Sequence, residues 1–252
     1  MRFQRSWHRL LAALALLLPG GVPADPLPDL APATQQLWVS VGVVNARGRA
    51  GAASCSGTLI APDLVLTAAH CAGASGGTER RRHFVVGWTE NGYLAQRVSV
   101  DTDVHPAYPV ARGNTRFKFD VAVLQLDAPF PPGLVTAPKI SAPPEDPTTP
   151  FALLGYNRTG SDHLSGRFDC PNLPQDSADV LMIGCEVTSG NSGGPVLAQI
   201  DGEWQLIGVV VGRIGGENPA AFAVPVGDWI LEHWREAMTR AEARTPATPP
   251  GQ

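Results

Sequence analysis

Three short stretches of the sequence contain the residue types of a nucleophilic catalytic site. Ser192 lies within the glycine-rich segment 189–196, which predicts a tight turn, and His70 follows a run of small and apolar residues over 66–69. Asp120 stands directly before the apolar segment 121–124, which predicts a carboxylate at the mouth of a buried strand. A serine hydroxyl needs a base within hydrogen-bond reach, and an imidazole oriented by a carboxylate is such a base. Together the three residues predict a Ser–His–Asp triad.

Around these residues the sequence resembles the trypsin-like serine peptidases, whose triad has the same order along the chain, with His before Asp and Asp before Ser. The resemblance covers most of residues 37–234. It implies an all-β fold of two six-stranded Greek-key barrels, with the active site in the cleft between them. The segments that carry it are 55–60, 65–71, 105–106, 120–124, 190–195, 206–210 and 222–226.

The resemblance also implies a role for each residue of the site. Ser192 would be the nucleophile, and His70 would act as general base and then as general acid towards the leaving amine. Asp120 would hold the imidazole in the required tautomer, and the backbone N–H groups of Gly190 and Ser192 would form the oxyanion hole. The expected activity is that of an exported serine endopeptidase, which cleaves protein or peptide substrates through an acyl-enzyme without a cofactor or a metal.

Two other functions are compatible with the same residues. The first is a non-catalytic binding protein on the trypsin-like scaffold, although such proteins usually lack one of the three triad residues, all of which are present here. The second is an esterase-like hydrolase, which the same triad would permit. Ester turnover without peptide cleavage would distinguish the esterase from the peptidase.

One departure from the trypsin pattern bears on activation. Asn191 precedes the nucleophile, where trypsin has an aspartate that pairs with the N-terminal ammonium freed by zymogen cleavage. An uncharged amide cannot form that ion pair, so we expect a preformed oxyanion hole without trypsin-style activation. The string over 190–193 in this respect resembles that of bacterial glutamyl-endopeptidases and high-temperature-requirement proteases.

The resemblance places three residues at the substrate pocket. Glu186 stands six positions before the nucleophile, where trypsin has the acid that binds basic side chains. Val211 replaces a serine whose hydroxyl helps to hold the catalytic aspartate in the family. Arg213 admits three interpretations: it narrows the pocket, it binds an acidic side chain, or it pairs with Glu217, and the last of these is slightly favoured.

The four cysteines are an even number, which in an exported protein indicates disulfide bonds. Four cysteines allow three pairings. The family resemblance implies the adjacent one, which joins Cys55 to Cys71 and Cys170 to Cys185. Metal binding is the alternative use of these residues, but the spacing contains no C-x-x-C motif.

The N-terminal segment is typical of a signal peptide over residues 1–24. Arg2, Arg5 and Arg9 precede a short apolar stretch over 10–18, and small residues lead to a cleavage site that would leave Asp25 as the first residue. The sequence therefore predicts a secreted or periplasmic protein with no stable membrane anchor after cleavage. An uncleaved signal anchor is the alternative.

Composition is that of a folded globular protein. The chain has 252 residues, of which 44% are hydrophobic and 17% charged, as in globular domains with buried strands. Its net charge is −4, and the basic residues 80–82 are expected in a solvated loop, so a nucleic acid partner is not expected. The sequence carries no indication of an oligomeric state.

The pattern along the chain divides it into consecutive parts. Residues 25–36 predict an extended lead, and residues 37–244 the peptidase domain. Within this domain the first barrel is expected over about 37–127, a proline-rich extended linker over 128–150, and the second barrel with a terminal helix over 151–244. Apolar residues at helical spacing place that helix at about 226–243, and we expect it to dock on the second barrel. Residues 245–252 predict a flexible tail.

Overall fold

The structure, a computed structural model, describes residues 26–52, 54–73, 81–158, 162–175 and 179–244. The predicted signal peptide, residues 1–24, and the predicted tail, residues 245–252, lie outside the described residues. The remainder is mostly β-structure with a C-terminal helix, which confirms the predicted fold class.

The first half of the chain forms a closed barrel of six antiparallel strands. Their order around the barrel is β1-β2-β3-β6-β5-β4, and β4 returns to pair with β1. Outside β5, most side chains of these strands are buried and their sequences are rich in apolar residues, whereas β5 is more polar and mostly half-buried or exposed. The strands are β1 (Val41–Asn45), β2 (Cys55–Ala61), β3 (Leu64–Thr67), β4 (His83–Val86), β5 (Ala95–Val104) and β6 (Ala122–Leu126).

The second half forms one curled sheet of seven strands, with the order β8-β7-β11-β12-β13-β10-β9. Its two edge strands, β8 and β9, are separated along the chain by Pro171 alone, so the curl brings the two edges together at that residue. The strands are β7 (Phe151–Tyr156), β8 (Leu164–Cys170), β9 (Asn172–Leu173), β10 (Leu181–Ile183), β11 (Pro195–Ile200), β12 (Glu203–Ile214) and β13 (Ala220–Pro225).

Between the two halves, residues 128–150 contain no helix and no strand, which agrees with their proline content. A single bridge pairs Ile140 with Leu206, and Ser141 N–H donates to the Leu206 carbonyl. Two short 3₁₀ helices interrupt the first half at Gly48–Ala50 and Gly113–Phe119. The second of them ends directly at Asp120.

The lead departs from the predicted extended conformation. Residues 26–31 are extended, but Pro32–Leu37 forms a short helix, α1, with proline in its first turn, where a missing N–H costs no hydrogen bond. The prediction of an extended chain throughout 25–36 is therefore wrong for its last residues. Because α1 is followed by a turn at Trp38, β1 begins only at Val41.

The C-terminal helix, α2 (Asp228–Arg244), matches the predicted one to within two residues but docks elsewhere. Its polar side chains reach the first barrel, not the second as expected. His233 Nε2 lies 2.8 Å from an Asp103 carboxylate oxygen, and Arg240 donates to the Gln125 side chain over 2.6 Å. Arg244 forms an ion pair with the buried Asp63. The apolar periodicity showed that one face is buried, but not against which surface.

Of the helices that the described residues form, none has both the length and the apolar character that crossing a membrane requires.

The pair of His233 with Asp103 is expected to make stability depend on pH. Burial lowers the pKa of His233, but the Asp103 and Trp229 hydrogen bonds outweigh it, so the net shift is upward. A raised folded-state pKa stabilises the fold fully below the ordinary pKa of histidine, and this contribution disappears as pH rises through the raised value.

Asp103→Asn removes the charge that favours protonation of His233. We expect the wild-type free energy of unfolding to exceed that of the variant by less than about 1 kcal/mol near pH 5.5, with no difference near pH 8.5. Urea unfolding at the two pH values measures this. If the difference in free energy of unfolding between wild type and variant were larger at the higher pH, the pKa of His233 would not be raised by Asp103.

Candidate active site

His70 lies at the cleft edge of the first barrel, in a turn that follows β3. The N–H groups of Cys71 and Ala72 donate to the Ala68 carbonyl and tighten the turn. A disulfide joins Cys71 to Cys55 at the start of β2, and the other pair, Cys170 with Cys185, is also joined, as the resemblance implied. The loop that bears His70 is therefore tied covalently to the neighbouring strand, while 35% of the His70 side chain stays exposed.

Asp120 binds His70 at two points. One carboxylate oxygen lies 2.7 Å from His70 Nδ1, and the other accepts the His70 backbone N–H over 2.9 Å. Only 7% of the Asp120 side chain is exposed. Since a carboxylate only accepts hydrogen bonds, Nδ1 must carry the proton, which leaves Nε2 as the free acceptor of the ring. This is the tautomer that a general base requires.

Ser192 belongs to the second half of the chain and lies in the turn before β11. Its carbonyl oxygen accepts the Ser56 N–H over 2.8 Å and lies 3.7 Å from Cys71 Sγ, beside His70. Among the described residues, no hydrogen bond joins the Ser192 hydroxyl to the His70 ring. In free enzymes this contact is often loose and tightens only when substrate binds. The structure thus places Ser192 beside the residue that follows His70, and the link between His70 and Asp120 is formed.

Two peptide groups beside Ser192 are held in a fixed orientation. The Ser189 carbonyl accepts the Arg158 N–H over 2.7 Å, and the Asn191 carbonyl accepts the Gly194 N–H over 2.9 Å. In a planar trans peptide the N–H points away from the carbonyl. These two bonds therefore direct the N–H groups of Gly190 and Ser192 the opposite way. No carbonyl among the described residues accepts either N–H, so both remain available to an oxyanion.

Gly190 is required by the shape of this turn. Its φ of +107° is disfavoured for residues with a side chain. A Cβ at this position would lie 2.5 Å from both the Arg158 nitrogen and the Tyr156 carbonyl oxygen, which are backbone atoms. The same backbone path that directs the N–H leaves no space for a larger residue.

The segment that contains these residues is similar to known proteins. A family model described as a trypsin-like peptidase domain matches residues 55–209, a segment that contains all three triad candidates. The chain belongs to the trypsin-like peptidase family. A relative named Trypsin, from Saccharopolyspora erythraea, is 31% identical over 188 residues, which are 66% of this chain and 78% of the relative. Family membership makes the protein a serine endopeptidase by class.

In this trypsin-like peptidase, Asn191 is fully buried and held by uncharged groups. Its side-chain oxygen accepts the Thr188 N–H over 2.7 Å, and its side-chain nitrogen donates to Asn157 over 3.0 Å and to the Tyr156 carbonyl over 3.3 Å. Both ends of the amide are therefore satisfied without an ammonium group. A buried carboxylate at this position would need a positive partner, whereas the amide does not.

Ser56, at the start of β2, is a functional residue that the sequence analysis did not single out. Its hydroxyl donates to the Gly190 carbonyl and accepts the Tyr156 N–H, each over 2.8 Å. Together with the bond from its N–H to the Ser192 carbonyl, these contacts attach the first barrel to residues 189–192, which carry the Gly190 and Ser192 N–H groups. We call this segment the oxyanion turn. A Cys-Ser-Gly string beside a disulfide is the only signal in the sequence, and it does not reveal contacts 134 residues away.

The predicted pocket residues occupy three different environments. Val211 is buried in the core between the two halves, and Glu186 is half-buried, with its backbone bridged to Pro26. Arg213 is exposed near the end of β12. Among the described residues it forms no ion pair with Glu217, so the interpretation that was slightly favoured from the sequence does not hold.

His70, Cys55 and Cys71 lie close enough together to resemble a metal site. The two cysteines are joined as a disulfide, however, and a disulfide offers no thiolate to a metal. This cluster therefore does not fit a metal ion.

Ser56 and Thr58, two buried residues of β2, provide a matched test of the hydrogen bonds that the Ser56 hydroxyl makes with the second half of the chain. Ser56→Ala would leave the buried Gly190 carbonyl and Tyr156 N–H unpaired, and we expect a loss of about 1–3 kcal/mol in the free energy of unfolding, with reduced turnover. Thr58→Val removes an equally buried hydroxyl that has no partner among the described residues, so it should be neutral or stabilising. Chemical denaturation of both variants measures the contrast, and equal losses would contradict it.

Proposed function

We propose that the protein is an exported serine endopeptidase in which Ser192 is the nucleophile, His70 the general base and Asp120 the residue that orients it. The observation that carries the proposal is that no carbonyl among the described residues accepts the Gly190 and Ser192 N–H groups, while Asp120 holds the Nδ1 proton of His70. Hydroxyl, base and oxyanion donors then converge on one reacting carbonyl, which is the arrangement that acyl transfer needs.

The reaction follows from these positions. The Ser192 hydroxyl oxygen adds to the peptide carbonyl carbon while His70 Nε2 takes its proton, and the negative charge on the carbonyl oxygen is received by the N–H groups of Gly190 and Ser192. His70 returns the proton to the amide nitrogen as the C–N bond breaks, which releases the amine and leaves an ester on Ser192. Water, deprotonated by His70, then hydrolyses the ester to the acid and regenerates Ser192.

A free strand edge supports a peptide as the substrate. β12 pairs with β11 as far as Val209, and Val210 exchanges hydrogen bonds with the Gly193 and Gly194 backbone. Beyond Val210, β12 pairs within the described residues only with β13, so one edge over 211–214 is unpaired beside the oxyanion turn. An extended substrate can add to such an edge as an antiparallel strand, with its carbonyl next to Ser192.

Export is supported by the N-terminal signal pattern over 1–24 and by the two disulfides, which are characteristic of oxidising compartments. Secretion to the medium and retention in the periplasm are both consistent with this proposal.

The first test is Ser192→Ala in the mature chain from Asp25, digested with a peptide library and read by mass spectrometry. We expect the wild type to cleave, and the variant to fold normally but lose at least about a thousandfold in kcat/KM, because no nucleophile remains. Ser99→Ala, which alters a buried serine of the first barrel, is the control and should remain active. Identical peptide patterns from wild type and variant would refute the proposal, and cleavage of esters alone would indicate the esterase.

The same library tests the pocket. We propose that Arg213 attracts acidic side chains near the cut, because it is exposed near the free edge of β12 without an ion pair among the described residues. Arg213→Gln should lower kcat/KM about two- to fivefold for acidic substrates, as expected for a solvent-exposed charge, and leave neutral ones unchanged. Glu186→Gln is the comparison. A preference for basic residues that disappears in that variant would assign the pocket to Glu186 instead.

A further inference from the structure

The N-terminal lead precedes the first barrel in sequence but lies on the second sheet. Leu30 N–H donates to the Leu164 carbonyl, and Gly166 N–H donates to the Pro28 carbonyl, each over 2.9 Å. The Leu27 side chain is buried in the core of the second sheet. Residues 26–30 are therefore an added strand-like segment beside β8.

From this lead a chain of three side-chain hydrogen bonds reaches the residue before the nucleophile. Asn191 Nδ2 donates to Asn157 Oδ1 over 3.0 Å, and Asn157 Nδ2 donates to Ser165 Oγ over 3.0 Å. Ser165 Oγ in turn donates to Asp29 Oδ1 over 2.8 Å. We call these four residues the relay. Ser165 and Asn191 are fully buried, while Asp29 is exposed at the end of the relay.

The carboxylate of Asp29 fixes the outer end of the relay, whereas the Thr188 N–H and the Tyr156 carbonyl fix the Asn191 amide at its inner end. Since an ionised carboxylate only accepts, the Ser165 hydroxyl must donate to it and is left to accept from Asn157. Asn157 must then present its NH₂ to Ser165 and its oxygen to Asn191. With the carboxylate removed, the hydroxyl can rotate and the Asn157 amide can turn over, which would set its NH₂ against the NH₂ of Asn191.

The orientation of Asn157 matters because its oxygen also accepts the Thr188 hydroxyl over 2.8 Å. Thr188 directly precedes the oxyanion turn and Asn191 lies within it, and the Asn191 side-chain oxygen accepts the Thr188 N–H. A reversed Asn157 amide would disturb its contacts with both residues, and with them the turn that carries the Gly190 and Ser192 N–H groups.

We propose that Asp29 is a positioning residue for the oxyanion hole, and that it acts through Ser165 and Asn157 on Asn191. The proposal rests on the function proposed above, since it concerns the same site. In this enzyme an exposed carboxylate of the N-terminal lead, joined through uncharged side chains, orders the turn that bears the nucleophile. The lead then serves catalysis although none of its atoms belongs to the triad.

The test compares Asp29→Ala and Ser165→Ala with Ser99→Ala in the full mature chain. Asp29 is exposed, so its variant should fold, and Ser99 is a buried serine of β5 whose hydroxyl accepts the Arg82 backbone N–H and makes, within the described part of the chain, no hydrogen bond with a relay residue. Two rates are measured: inactivation by diisopropyl fluorophosphate, which needs the nucleophile and the hole but little of the pocket, and turnover of a cleaved library peptide.

We expect both relay variants to lose about ten- to a hundredfold in kcat and in the inactivation rate, with KM within about twofold of the wild type, because the lost interaction acts on the transition state. Ser99→Ala should change neither rate more than about twofold, even if its melting temperature falls as far as that of Ser165→Ala. The double variant of Asp29→Ala with Asn157→Ala should lose no more than the worse single variant, although the two residues do not touch.

Relay variants that follow Ser99→Ala in both rates, or losses that multiply in the double variant, would overturn the role of Asp29. Failure of the proposed function has a different signature: the wild type itself would react with the fluorophosphate no faster than Ser192→Ala.

Discussion

The candidate site depends on the orientation of two peptide planes, those that supply the Gly190 and Ser192 N–H groups. An oxyanion hole stabilises charge well only if its donors are already aimed when the charge develops. The oxyanion turn has four residues, and so short a turn forms few internal hydrogen bonds that could orient these donors. Here the Asn191 carbonyl is held by the neighbouring Gly194, whereas the Ser189 carbonyl is held by Arg158, which follows β7, and the Gly190 carbonyl by Ser56 in the first barrel. The turn is therefore ordered by both halves of the molecule at once.

This arrangement makes the joining of the halves a functional requirement. The two ends of the described chain contribute to it in a reciprocal way. The lead, which belongs to the first half by sequence, binds the second sheet, and α2, which follows the second sheet, binds the first barrel. Any opening of the cleft must break contacts at both ends as well as the bonds of Ser56. Such reciprocal packing limits relative motion of the halves and preserves the distances across the cleft.

The polar residues of the site differ in whether they carry a buried charge. Asp120 is a buried carboxylate compensated by two N–H donors of His70, whereas Asn191 is a buried amide with no charge to compensate. A desolvated charge is costly unless it is paired, so a neutral residue beside the nucleophile removes the need for a buried cation. The relay places its carboxylate at the exposed end, where water solvates it, and transmits only hydrogen-bond direction into the interior.

Much of the molecule was predictable from local sequence. The strings around His70, Asp120 and Ser192 depend on chemistry that few other residues provide, and positive φ at Gly190 follows from a tight turn. The near-continuous apolar runs marked the buried strands. Contacts between segments distant in sequence were not predictable: the docking surface of α2, the helix α1 within the expected extended lead, the hydrogen bonds of the Ser56 hydroxyl and the bond between Asp29 and Ser165. Periodicity shows that a face is buried but does not specify its partner.

The sequence by itself determined the class of chemistry, the strand-rich fold and the identity of the reacting groups, because each rests on residue type and short-range spacing. Only the tertiary structure decided how those groups are oriented. Several of the partners that set amide directions lie far along the chain, 34 residues apart for Asn191 and Asn157 and 136 for Ser165 and Asp29. A hydrogen bond acts over about 3 Å, so its partners are known only once the chain has folded.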